Sequence, residues 1–201
     1  MSNWCGAAAS VVAAGSVITL AACAGASQAP APAAPPPSTT QTLAPLTPVG
    51  PPRDLTAMAR QPCGLLTPQQ ASGFQLDLPA DQLTGLHGTL RCKWTTTTGT
   101  TREIIRMLDV SPSVDSSTFD ATYNRERGLP VFEVTNISGY PALAMMANAK
   151  LPICTVEIKL AERQSVSVDY EDKTLNKNPQ QSCEIGKRVA AAVLTNVPPK
   201  S

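Results

Sequence analysis

Cys154-Thr155-Val156-Glu157-Ile158-Lys159-Leu160, followed after a short turn by Ser165-Val166-Ser167-Val168-Asp169-Tyr170, decides the fold. Apolar and polar residues alternate strictly through both stretches, the period of a strand that packs one face and wets the other. Such half-buried strands belong to antiparallel sheets, so this pair predicts a hairpin turning at 161–164. Downstream, Asn178-Pro179 reads as a helix cap followed by its first residue. Ile185, Val189, Val193 and Val197 then recur every four residues, one buried helical stripe. Upstream, 143–146 is an apolar strand, Ile137-Ser138-Gly139-Tyr140-Pro141-Ala142 a turn, and 131–134 a short strand. A helix is predicted from about Asp115, with Val114 and Phe119 as a hydrophobic staple and Gly128 as its stop. Before it, 90–94 and 103–110 read as strands joined around Gly99. The first helix is marked by Thr67-Pro68-Gln69-Gln70, a capping box with proline at its first position. Helix, strands, helix, strands, helix predicts an α+β domain, a curved antiparallel sheet with helices packed on one face.

The cysteines fit that scheme. Of six, Cys5 and Cys23 lie near the N-terminus, and Cys63, Cys92, Cys154 and Cys183 lie in the patterned region. An even set in an exported domain points to disulfides, and four cysteines allow three pairings. Cys63–Cys92 and Cys154–Cys183 are favoured, because each spans 29 residues and would tie a helix to a nearby strand. Closing a loop of that size is worth roughly 3–4 kcal/mol.

The case for export rests on the N-terminus. Residues 7–22 form an uncharged apolar run of secretory length that ends in Leu20-Ala21-Ala22-Cys23. That tetrapeptide resembles the lipobox of bacterial lipoproteins, in which small residues admit the peptidase and the thiol takes a diacylglycerol. The resemblance implies a signal peptide over 1–22, Cys23 as the lipid attachment site, and a protein anchored outside the cytoplasm in the outer leaflet of the cell membrane. One departure is the lack of Lys or Arg among the first six residues. Residues 23–52 make up the lipidated cysteine and a spacer of Ala, Pro, Ser and Thr without a single charge. A segment so poor in large apolar side chains cannot offset the entropy of ordering it, and its prolines favour an extended tether. Residues 53–201 hold every charged side chain and make one ordinary domain.

Composition narrows the function. With 16 Lys+Arg against 15 Asp+Glu and no basic run, nucleic acid is not an expected partner. His87 is the only histidine, no Gly-x-Ser-x-Gly elbow occurs, and no CxxC-like pair supports zinc. No catalytic residue, metal or cofactor is therefore expected. Trp94 and Tyr140 are the candidate binding-surface residues. Trp94 follows Cys92 on one strand face and either packs on the bridge or walls a cleft. Tyr140 sits in a Gly-Tyr-Pro turn, where tyrosines serve recognition as readily as packing.

Pro62-Cys63-Gly64-Leu65-Leu66-Thr67, Cys92-x-Trp94, Gly139-Tyr140-Pro141-Ala142, Cys154-Thr155-Val156 and the helix bearing Cys183 together resemble actinobacterial lipoproteins built on a four-cysteine domain of unknown function. The resemblance covers 61–197 and implies a lipobox, a spacer and a disulfide-bonded domain in a cell envelope. It carries over no catalytic residue. An anchored, spaced, disulfide-locked domain with no catalytic constellation points to non-catalytic binding of an envelope ligand or a protein partner. The alternative is an accessory or scaffold role in a secretion or signalling complex, and a cell-wall hydrolase is a remoter one.

Overall fold

A computed structural model describes residues 46–85, 88–116 and 118–200. The signal, the lipobox cysteine, most of the spacer and His87 lie outside the described residues. The predicted capping box is present: Thr67 accepts from the Gln70 amide, and the Gln70 side chain accepts from the Thr67 amide, at the start of α1 (Pro68–Gly73). Seven strands follow: β1 (Asp81–Thr84), β2 (Leu90–Thr98), β3 (Glu103–Ser113), β4 (Val131–Ile137), β5 (Tyr140–Met146), β6 (Ile153–Ala161) and β7 (Gln164–Asp172). Helix α2 (Thr118–Glu126) connects β3 to β4, and α3 (Gln181–Asn196) closes the chain. The strands form one open antiparallel sheet in the order β1-β2-β3-β7-β6-β5-β4. Two meanders thus meet at the β3·β7 pair, giving the α+β architecture that the alternation implied.

The main core lies on one face. Cys92 and Trp94 of β2, Leu108 and Val110 of β3, Val166, Val168 and Tyr170 of β7, and Cys154, Val156 and Ile158 of β6 are all buried there. Helix α3 covers them with Val189, Ala190, Val193 and Leu194, and α1 contributes Ala71. Gly186 sets how closely α3 approaches, since a Cβ there would stand 3.2 Å from Val156 Cγ2. Both disulfides formed in the favoured pairing. Cys63, in a 3-10 turn (Pro62–Leu65), is joined to Cys92 of β2, and Cys154 of β6 to Cys183 in the first turn of α3. Each bridge therefore fastens the helical layer to the sheet.

The helices of the main core share that face, whereas the short α2 crosses the other. Phe119 packs on Leu143 and Met145, with Tyr123, Leu129, Phe132, Val134 and Leu46 around them. Lys159 binds the Asp120 carboxylate at 2.8 Å, and the hydroxyls of Thr118 and Ser165 lie 2.6 Å apart. Helix α3 begins at Gln181 rather than at Asn178, because residues 178–183 first make a tight turn of i→i+3 bonds. Asn178 does not serve as the helix cap. No helix among the described residues is long and apolar enough to cross a membrane.

The end of the expected spacer is docked. The amides of Val49 and Gly50 donate to Gly139 O at 2.9 Å, and Lys200 N donates to Pro52 O. Gly139 is required twice over: its φ is +91°, and a Cβ would lie 3.2 Å from Gly50. Ser138 and Gly139, both with positive φ, form the two-residue turn between β4 and β5.

Candidate functional site

Strand register assembles a polar floor on the face that α2 only half covers. Lys93, Asp109, Asp169, Thr155, Met145 and Phe132 are successive cross-strand neighbours through β2, β3, β7, β6, β5 and β4. The next row runs Ser111, Ser167, Glu157, Leu143 and Val134. Both rows pass from polar to apolar as they approach β4. Helix α2 meets β6 and β7 through Lys159–Asp120 and Thr118–Ser165, and its Phe119 side chain covers the apolar end at Leu143 and Met145.

Two carboxylates stand directly opposite each other in this floor. Asp109 and Asp169 are paired positions, an arrangement that is unfavourable for like charges. Asp109, 5% exposed, is held by Arg91 at 2.9 Å and by the Ser111 hydroxyl. Burial nonetheless pushes its carboxyl above the usual range, against the pull of Arg91. Asp169 accepts the Thr155 hydroxyl at 2.5 Å and makes no ion pair with a described residue. Its carboxyl is pushed up by burial first and then by the charges of Asp109 and Glu157, with the Thr155 bond opposing. Glu157, 5% exposed, accepts from Ser165 at 2.9 Å.

Where the floor meets α2, a cavity of about 310 Å³ opens. Thr155, Glu157 and Ser167 form its base, Thr122 and Glu126 of α2 one wall, and Leu129, Met145 and Ala147 the apolar side. Arg125 stands at the rim, 68% exposed and paired with Glu126. The volume is at the small end of ligand-sized cavities (roughly 300–1,000 Å³).

A second ionic group lies on the first face, beneath α1 and α3. Arg106 binds Asp172 at 2.8 Å and Gln75 O at 3.0 Å, and the Tyr170 hydroxyl donates to the same Asp172 oxygen. The other Asp172 oxygen accepts from the Thr174 amide and hydroxyl. Burial raises the Asp172 carboxyl, but the Thr174 and Arg106 bonds outweigh it and hold the group low. Burial and Asp172 together push the Tyr170 phenol up to about 12. These bonds make the group a clamp between β3, β7 and the segment after α1.

The residues singled out from sequence fall elsewhere. Trp94 is 1% exposed and packs in the core beside the Cys63–Cys92 bridge, edging a shallow apolar hollow with Leu66, Leu78 and Pro79. Tyr140 is also 1% exposed and belongs to β5, not to a turn. Its hydroxyl donates to Pro51 O and accepts from Arg53 Nε at 3.1 Å, and Arg53 in turn donates to Val197 O. Trp94 thus packs on the bridge and also walls that hollow, whereas Tyr140 straps the N-terminal segment down. Thr155, Glu157 and Ser167 at the base of the cavity escaped the sequence reading because each looks like an ordinary solvent-facing position of an alternating strand. The one available signal was the pairing of acidic and hydroxyl residues on the same parity of β3, β6 and β7.

Fold and site together define a disulfide-locked α+β domain with a half-covered polar sheet face. The chain belongs to a family described as proteins of unknown function (DUF3558), whose model matches residues 18–196. No curated protein and no solved structure matches it.

Proposed function

We propose that this protein is a lipid-anchored binding protein of the cell envelope, held in the outer leaflet through Cys23. In this reading its domain takes up an envelope ligand in the cavity beside α2 and does no covalent chemistry. The observation that carries the binding role is the cavity itself, a hollow with three polar groups on its base and an apolar side. Export is supported by the lipobox sequence and by two disulfides, which persist in oxidising compartments. Native mass spectrometry of the protein extracted from its own envelope tests the role. A stoichiometric adduct lost in an Ala147→Phe variant is the expected result, and its absence from the unsubstituted protein would remove the ligand reading.

A second reading, an accessory or scaffold role on a protein partner, is favoured by β4. It is a seven-residue edge strand with no proline and no bulge, and among the described residues no strand pairs its outer side. Such an edge is a template for a further strand. Site-specific photocrosslinking from Thr135 in the native envelope would capture that partner, and a blank result there would set this reading aside.

A further inference from the structure

Taking the cavity beside α2 as the ligand site proposed above, we infer that it is built for a primary ammonium group carried on a short apolar body. The base of the cavity offers acceptors. Thr155, at the base, gives its hydroxyl proton to Asp169, so its oxygen retains lone-pair capacity to accept. Glu157 accepts from Ser165 through Oε1, while Oε2 has no donor among the described residues. Its side chain is thus buried and half-satisfied by the described residues. The Ser167 hydroxyl completes the set. Glu157 and Ser167 are cross-strand partners, about 5 Å apart at Cβ, and Thr155 lies two residues along β6, about 7 Å away. Three oxygens in that compass match the three donors of an ammonium group.

The surroundings favour positive charge on the ligand. The Lys159 ammonium is taken by Asp120, the Arg125 guanidinium by Glu126, and the Arg91 guanidinium by Asp109. Among the described residues Glu157 and Asp169 have no cationic partner within ion-pair distance, and buried acidic groups without one favour a ligand that brings a counter-charge. An anionic ligand would meet the Glu157 carboxylate at the base and that of Glu126 on the wall. Leu129, Met145 and Ala147 on the opposite side supply contact for a few methylene groups and nothing to hydrogen-bond them.

The test is calorimetric titration of the full chain carrying Cys23→Ala, so that no acyl tail competes for the probes. The probes are n-hexylammonium, 1-hexanol and hexanoate. The expected result is one-to-one binding of n-hexylammonium, at least tenfold tighter than 1-hexanol, with no binding of hexanoate. Glu157→Gln, which keeps the Ser165 bond, should weaken n-hexylammonium at least tenfold. Ala147→Phe, at an exposed rim position, should abolish its binding without disturbing the fold. Equal affinity for the alcohol and the ammonium, or an unchanged affinity in Glu157→Gln, would overturn the ligand class while leaving a ligand-binding cavity. Ammonium binding that survives Ala147→Phe lies elsewhere and overturns the assignment. Failure of all three probes overturns it as well, and the native mass spectrum then decides separately whether the cavity is a ligand site at all.

Discussion

Replacing Cys154 and Cys183 by alanine should lower the stability of the domain by about 3.6 kcal/mol, the chain-entropy value for a 29-residue separation. Alanine is the right substituent, because both sulfurs are buried and a serine would add an unsatisfied hydroxyl. The bridge joins β6 to the first turn of α3, so the loop it closes holds the whole β6–β7 hairpin and the approach to the helix. The Cys63–Cys92 bridge has the same separation, and the two closed loops do not overlap in sequence. Their costs should therefore add, to about 7 kcal/mol for the fourfold alanine variant. That sum is comparable with the whole stability of an ordinary domain, ~5–15 kcal/mol. Urea titration followed by tryptophan emission reads the effect, with a midpoint shift of roughly 1–4 M for either pair. In thermal unfolding it corresponds to about 7–14 °C. A loss below ~1 kcal/mol for each pair, or a fourfold variant no weaker than either double one, would refute the loop-closure reasoning.

Other expectations follow from the charged groups and the N-terminal strap. Asp169→Asn should stabilise the domain at neutral pH: a carboxyl raised by burial costs nothing below its unfolded value, near 4, and its full penalty above its folded one. Urea titrations of both proteins at pH 7 and below pH 4 should show the gain at the first and none at the second. Asp172→Asn should cost about 3 kcal/mol or more at neutral pH, because it strands the Arg106 guanidinium, 8% exposed, without its counter-charge. Its own sign is opposite, since Asp172 is held low in the fold and its contribution fades as pH falls through that lowered value, which acid unfolding of the unsubstituted protein would register. Gly139→Ala should cost roughly 1–3 kcal/mol for a strained positive φ, and should free the segment at Gly50 for protease cleavage.

The fold was legible where each strand had one wet face. β6 and β7 alternate cleanly because their even residues meet α3 and their odd residues meet the polar floor. β5 does not alternate: all seven of its residues are buried, packed by the main core on one side and by Phe119 on the other. Tyr140 and Pro141 therefore read as a turn when they begin a strand. β1 has no apolar pattern, being a short polar edge held by its ladder to β2, and it left no mark in the sequence. The disulfide pairing was legible because both bridges join elements close in the chain. The candidate site was not, because it depends on β3 lying beside β7, a pairing across more than fifty residues, and on which face α2 would choose. Nothing local in Thr155, Glu157 or Ser167 separates a cavity floor from a solvated strand.

The most direct test of the account is the intact mass of the protein taken from the envelope, measured with and without thiol alkylation before reduction. The account predicts a chain that starts at Cys23, carries a diacylglyceryl group, and resists alkylation at Cys63, Cys92, Cys154 and Cys183. An unprocessed chain starting at Met1, with those four thiols free to react, would contradict it.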